Sequence, residues 1–280
     1  IELYIMKVFK FFKKILKITD DEIIEESDQL PDYPLVAKDI SFSFGDEKIV
    51  DDLSFKLNWG ENFAVVGQSG TGKTTFLKLC FGLINPDKGK ININGINPLN
   101  IKERQIFKLT KDVGFVFQRG ALIQNINVFD NIALLQRYQI AKTEDELKEE
   151  IEKKLKYFGL WGKRNNRPST LSYAEVMSVA FAKIMINEPK IIFMDEPLTF
   201  LDPRAERKVI SFLRKHKKNN GTSLFATKNL QFATSFCDRI GLLQDGKFIF
   251  IGTPEELRKS ESEEIKQTLE SLSLELNVPG

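Results

Sequence analysis

The run Gly67-Gln68-Ser69-Gly70-Thr71-Gly72-Lys73-Thr74 has the G-x-x-x-x-G-K-T spacing of a loop that wraps phosphate. Glycines at 67, 70 and 72 let successive backbone N–H groups curl around a phosphate, and a helix starting beyond them adds partial positive charge. Lys73 is placed to reach the β- and γ-phosphates of a nucleoside triphosphate. The Thr74 hydroxyl is placed to ligand Mg²⁺, with Thr75 beside it. Far downstream, Ile191-Ile192-Phe193-Met194-Asp195-Glu196 offers four apolar residues and then two carboxylates. Asp195 would hold Mg²⁺ through water beside Thr74, and Glu196 would polarise an attacking water. An apolar run ending in Asp-Glu is a weak signal alone; the upstream phosphate loop makes it strong.

These side chains need a strand end and a helix start to carry them. Asn62–Val66 is a short apolar strand, and 74–81 has the apolar spacing of a helix. Residues 36–44 and 47–57 alternate apolar and polar around Gly45-Asp46, which predicts an antiparallel pair. Short strands are expected at 90–93 and 113–117, and the stretch from about 127 to 187 reads as helical throughout. Within it Thr143 and Glu146 have capping-box spacing. From Lys190 strands and helices alternate again: IIFMD, a helix after Pro203, SLFAT, then RIGLLQ and KFIFIG. The pattern predicts an α/β fold with a parallel-sheet core and an inserted helical block.

The 280 residues, 42% apolar and 29% charged, describe an ordinary globular chain with room for a substantial core. A net charge of +2 gives no argument for a nucleic-acid partner. Cys80 and Cys237 have no metal-like spacing, which suits a reduced, cytoplasmic setting. His216, the only histidine, sits in RKHKK and reads as a solvated surface residue. No run approaches the roughly 20 apolar residues of a membrane span.

At the N-terminus Ile5, Val8, Phe9, Phe12, Ile15 and Leu16 share one helical face, and Lys7, Lys10, Lys14 and Lys17 the other. Such a basic amphipathic helix suits an anionic membrane surface, a partner helix or its own domain. Lysines interrupt every apolar stretch, unlike a signal peptide. Met6 would serve as a natural start, leaving residues 1–5 as an upstream remnant. The acidic stretch 20–28, closed by Pro31 and Pro34, reads as a linker. The expected divisions are 1–34 (basic helix and linker), 35–257 (nucleotide-binding domain) and 258–280 (a helical extension).

From about residue 36 to 257 the chain resembles ATP-binding-cassette (ABC) nucleotide-binding subunits. The resemblance implies a P-loop NTPase with a RecA-like core, an antiparallel β subdomain and a helical subdomain at about 127–187. It implies ATP and Mg²⁺ as ligands, transmembrane permease subunits as partners, and a second ABC chain in a homo- or heterodimer. It also implies a peripheral position on the cytoplasmic face of the inner or plasma membrane. Gln118 matches the Q-loop, a Mg²⁺ and γ-phosphate sensor, and Leu201-Asp202 the D-loop. Phe44 stands where the family stacks an aromatic ring on adenine, although a core phenylalanine would read the same. Gly246 and Gly252 match the hairpin beyond the sheet. The stretch FQRGALIQNINVFDNIALLQRY is similar to that of ABC ATPases linked to Mce-type lipid trafficking, such as the Mla transporters, implying an Mce-type lipid-binding partner. The tail SEEIKQTLESLSLELN resembles their C-terminal extension, which contributes dimer contacts, and also reads as a simple solvated helix.

Two family motifs are altered. Where the signature is usually LSGGQ, the chain has Leu171-Ser172-Tyr173-Ala174-Glu175. Ser172 keeps its capacity to donate to a γ-phosphate oxygen, but Tyr173 replaces a glycine and Glu175 brings a charge that repels phosphate. The usual Ser/Thr-His switch pair is Thr227-Lys228; Lys228 could still place positive charge beside the γ-phosphate, but lysine cannot supply the acceptor of an imidazole. The expectation is an ABC ATPase subunit that binds ATP, hydrolyses it slowly and serves a permease, with no nucleic-acid partner. Its rivals are an ATP-gated scaffold or regulator and a soluble ABC ATPase of assembly or repair.

Overall fold

The computed structural model describes residues 31–101, 103–139 and 143–276. The predicted basic amphipathic helix and most of its acidic linker lie outside them. The chain forms two compact units, one of residues 101–190 and 197–215, the other of residues 31–100, 191–196 and 216–276.

In the second unit an antiparallel sheet in the order β2-β1-β4 is built from β1 (Leu35–Phe44), β2 (Glu47–Leu57) and β4 (Lys88–Ile93). Alternation in β1 and β2 buries Leu35, Ala37, Ile40, Leu53, Phe55 and Leu57 on one side. The register breaks after Ala37 and again after Ile40. Asp39 (φ 51°) and Asp52 (φ 50°) adopt left-handed backbone near these irregularities. Ser54 Oγ accepts from Asp39 N at 2.9 Å, and Ser41 Oγ accepts from Asp52 N at 3.0 Å. Serine hydroxyls thus satisfy the donors that the bulges release from the ladder.

The larger sheet of this unit carries β6 (Ile191–Asp195), β7 (Thr222–Thr227), β3 (Asn62–Val66), β8 (Arg239–Gln244) and β9 (Lys247–Gly252), in that order. The first four are parallel and β9 turns back antiparallel to β8. Every residue of β3, β6 and β7 is buried, as the apolar runs NFAVV and IIFMD require of parallel strands covered on both faces. Helix α1 (Lys73–Phe81) follows β3, and Phe55, Phe63, Phe76 and Phe248 meet edge-on or tilted within the core.

The other unit begins with α2 (Glu103–Asp112) and β5 (Val113–Val116). It continues through α3 (Val128–Gln139), α4 (Glu144–Phe158) and α5 (Tyr173–Asn187), and includes most of α6 (Pro203–Lys218). The expectation of continuous helix to 187 is corrected. Gly159 ends α4 at φ 78°, and residues 159–172 hold only the short 3₁₀ turns Trp161–Lys163 and Pro168–Thr170. The Thr143–Glu146 capping box is formed in both directions. Leu122, Val128, Ile132, Leu147, Ile151, Leu155, Leu160 and Val179 make one buried cluster among α3, α4 and α5.

Asn131, fully buried on α3, accepts from Ile123 N at 2.7 Å and donates to the carbonyls of Ile123 and Asn127 at 3.0 Å. It pins the loop that leads into the helix. The chain closes with α7 (Leu230–Phe236), α8 (Pro254–Arg258) and α9 (Glu263–Leu276). Ile265, Thr268 and Leu272 are buried along one face of α9, so the simple solvated helix is corrected to a docked one.

His216 is corrected likewise. Its ring packs against Gly221, its Nε2 lies 3.3 Å from the Thr222 carbonyl, and burial lowers its pKa below the ordinary histidine value.

Leu155 is fully buried in the helical cluster. Leu155→Ala is expected to cost about 2–5 kcal/mol through lost burial and a residual cavity. Urea denaturation would show this as a lower midpoint, and an unchanged midpoint would refute the packing assigned to α4.

Candidate functional site

The phosphate loop runs from the end of β3 into α1, and its shape depends on missing side chains. A Cβ at Gly67 would lie 2.5 Å from the Leu243 carbonyl oxygen and 2.7 Å from Thr71 Oγ1. At Gly72, where φ is 92°, a Cβ would lie 2.8 Å from the Ile49 carbonyl oxygen. Both positions exclude any other residue. Lys73 is buried, and its ammonium donates to the Gly67 carbonyl at 2.7 Å and the Gln68 carbonyl at 2.5 Å, closing the loop on itself. Thr71 Oγ1 donates to the Gln68 carbonyl at 2.9 Å.

Asp195 at the end of β6 receives the Thr74 hydroxyl, whose oxygen lies 2.9 and 3.0 Å from its two carboxylate oxygens. Burial pushes the Asp195 carboxyl up to about 6; the Thr74 hydroxyl opposes the rise and the charge of Glu196 adds to it. Glu196 follows at φ 45°, a left-handed backbone that glutamate rarely takes. Its own N–H donates to the Ala226 carbonyl at 2.8 Å. The Lys228 backbone N–H donates to Glu196 Oε1 at 2.9 Å, and the Thr227 hydroxyl to Oε2 at 3.1 Å. The end of β7 therefore holds the carboxylate through Thr227 and the main chain of Lys228.

Asn229 then caps α7, accepting from Phe232 N at 2.8 Å. Phe44, at the end of β1, is 59% exposed and meets Phe42 edge-on at 4.8 Å. That exposure removes the core alternative for its ring.

The residues at Gly67, Gly70, Gly72, Lys73, Thr74 and Asp195 fit a triphosphate with Mg²⁺. The glycine cradle is space that a Cβ would fill, and Thr74 with Asp195 offers the hard oxygen donors that Mg²⁺ prefers. Thus the second unit contains Phe44, the whole loop through Thr75, Asp195, Glu196 and Lys228, and it joins Thr74 to Asp195 and the Lys228 main chain to Glu196.

Gln118, Ser172 and Asp202 belong to the other unit. Gln118 is exposed just beyond β5. Asp202 Oδ1 accepts from Arg204 N and Ala205 N at 2.8 Å each, capping α6. Ser172 caps α5. Its hydroxyl oxygen accepts from Glu175 N at 3.3 Å while the Glu175 carboxylate accepts from Ser172 N at 3.0 Å. Lys163 adds an ion pair with Glu175 at 2.5 Å, and this bond is the main cause that lowers the Glu175 pKa. The charge expected to act as an uncompensated repeller is thus tied to a cation and a helix N-terminus. Tyr173 is 61% exposed and stacks on Phe200 at 5.5 Å.

Sequence reasoning missed Lys163, Phe200 and the Thr227 hydroxyl as contributors. Only Thr227 had a signal, its place beside Lys228 at the end of an apolar strand.

The raised carboxyl of Asp195 yields a pH test on the metal-free protein. Its contribution to stability is fully present below the ordinary value of 3.8 and is lost as pH rises through about 6. Asp195→Asn should therefore raise metal-free stability above pH 6 by on the order of 2 kcal/mol, with no gain below about pH 4. Thermal unfolding across pH would reveal it, and equal melting at pH 8 would contradict it.

Comparisons with known proteins identify the family. Residues 50–199 match the ABC transporter family model. The chain is 32% identical over 237 residues to the intermembrane phospholipid transport system ATP-binding protein MlaF of Haemophilus influenzae, covering 84% of this chain and 90% of that one. It is 33% identical over 219 residues to the spermidine/putrescine import ATP-binding protein PotA of Fusobacterium nucleatum, covering 78% of this chain but only 57% of that relative's length. The dimeric, post-hydrolysis structure of the ATP-binding cassette MJ0796 bound to ADP and Pi superposes with a TM-score of 0.72 at 26% identity, covering 79% of this chain and 98% of the other. With its Mg²⁺–ATP phosphate loop and acidic strand end, the chain belongs to the ABC transporter family as an ATP-binding ATPase subunit.

Proposed function

We propose that this subunit binds ATP well, hydrolyses it slowly, and couples that cycle to a membrane permease that moves phospholipid or another lipid. The observation that carries slow turnover is the setting of Glu196. Its carboxylate is held by the Thr227 hydroxyl and the Lys228 N–H, yet the side chain at 228 is an ammonium. An ammonium only donates, whereas an imidazole both donates and accepts. Glu196 is oriented to take a proton from an attacking water without that second acceptor.

Lys73 and the loop N–H groups bind the phosphates, and Thr74 and Asp195 would hold the metal. Mg²⁺, when bound, supplies charge neutralisation at the phosphate oxygens. Gln118 is assigned to sensing and permease coupling, Phe44 to adenine, and Asp202 to shaping the start of α6. Ser172 is assigned to the nucleotide on a second ABC chain, identical or different.

The lipid assignment rests on the stretch around 117–138 and on the near full-length alignment with MlaF. It would bring an Mce-type lipid-binding protein into the assembly and place the subunit peripherally, on the cytoplasmic side. Similar identity to PotA makes cargo the point that experiment must decide. Among the described residues no helix is long and apolar enough to cross a membrane. Residues 1–34 are assigned as a membrane- or partner-facing segment, 35–257 as the ATPase domain and 258–280 as its extension.

Turnover with the permease should stay below about one per second, at the slow end of enzyme rates. A phosphate-release assay tests this, and faster turnover would refute it. Glu196→Gln should retain ATP and abolish transport; unimpaired transport would favour the ATP-gated scaffold. Glu175→Gln keeps the cap but removes a carboxylate that Lys163 already pairs, and should leave turnover within about two-fold. A rise of about five-fold or more would show that the charge still repels phosphate. Isolation from membranes should co-purify a multi-span permease, whereas recovery with soluble partners alone would refute the transporter assignment.

A further inference from the structure

Beyond the nucleotide-binding residues, the second unit contains a continuous mechanical link from the chain's last helix to its phosphate loop. On α9, Thr268 is only 8% exposed and sits between buried Ile265 and Leu272. Thr268 Oγ1 lies 2.7 Å from Gln244 Oε1, at the end of β8, and 2.8 Å from the Glu264 carbonyl of its own helix. Its single proton is shared between the neighbouring side chain and the helix backbone.

Gln244 follows Leu243, whose carbonyl is the surface on which Gly67 rests. Two residues further, the Gly246 carbonyl accepts from Asp51 N at 3.0 Å, and Gly246 itself abuts the Ile49 carbonyl. That same Ile49 carbonyl is the surface under Gly72. Both ends of the phosphate loop are therefore seated on backbone whose position is set by the turn from β8 to β9. Beside this seat lies a cavity of about 370 Å³, bounded by Gln68 and Thr71 of the loop, Asp245 of the turn, and Gln267 and Ser271 of α9. The loop and the helix thus share one cavity, with Gln244 bridging towards Thr268.

We propose that Thr268 and Gln244 are positioning residues for ATP binding, and that α9 tunes the phosphate loop through the turn between β8 and β9. The inference rests on the loop taking ATP. Moving Gln244 shifts the Leu243 carbonyl, and close-packed backbone at Gly67 passes that shift to the phosphate-binding N–H groups. The link acts on loop shape, so it affects nucleotide affinity and leaves Glu196 and its donors in place.

Thr268→Val removes the hydroxyl with little change of volume. In the full chain, this variant should bind ATP about five-fold more weakly, the size of one lost neutral hydrogen bond. The effect should lie in KM with kcat nearly unchanged. Thr268→Ser should restore affinity, and Thr268→Val with Gln244→Met should be no weaker than either single change, the mark of a shared interaction. Thermal unfolding separates a general loss of fold from a local one. ATP binding by Thr268→Val equal to the parent's would overturn the proposal, as would Thr268→Ser as weak as Thr268→Val. If the parent chain itself failed to bind ATP, the underlying assignment of the loop would fall instead.

Discussion

A methyl group added at Gly67 would lie 2.5 Å from the Leu243 carbonyl, and one added at Gly72 would lie 2.8 Å from that of Ile49. The phosphate loop exists in its present shape because two backbones approach where no side chain can stand. Everything else at the site is placed relative to that approach. Lys73 folds back on the loop carbonyls, Thr74 turns to Asp195, and β6 and β7 bring Glu196 and Lys228 to the same end of the sheet. The parallel strands pass this precision along because they are buried on both faces and cannot shift independently.

The loop, the apolar strand before the two carboxylates and the alternating pair at the start were legible because each is local: a glycine spacing, a hydrophobic run, a period of two. Helical content in the middle was legible as composition, but its interruption at Gly159 required the left-handed cap to be seen. Lys163 was not legible, since its partner Glu175 is twelve residues away across the short 3₁₀ turn Pro168–Thr170 and no period links them. His216 misled for a related reason. Surrounded by lysines in sequence, it nonetheless reaches past the end of α6 to cover Gly221. The docked face of α9 was ambiguous because Ile265, Thr268 and Leu272 mix apolar and polar types at helical spacing.

The start of α5 shows how fully a helix terminus can be satisfied by its own neighbours. Ser172 and Glu175 complete a capping box formed in both directions, with Lys163 paired to the carboxylate. Folding is thereby served at the start of α5. The same bonds occupy the N–H groups of Ser172 and Glu175, and the exposed Tyr173 ring stacks on Phe200. A helix terminus has a limited number of free donors, so local satisfaction and anion recruitment draw on the same atoms.

Glu196 carries a tension of another kind. Its backbone sits at φ 45°, where glycine or asparagine would rest with less strain, while its carboxylate is fastened by Thr227 and Lys228. Sequence drift at this one position therefore runs downhill for the fold and uphill for the chemistry. A descendant that replaced the glutamate with asparagine would gain an easier main chain as it lost its base.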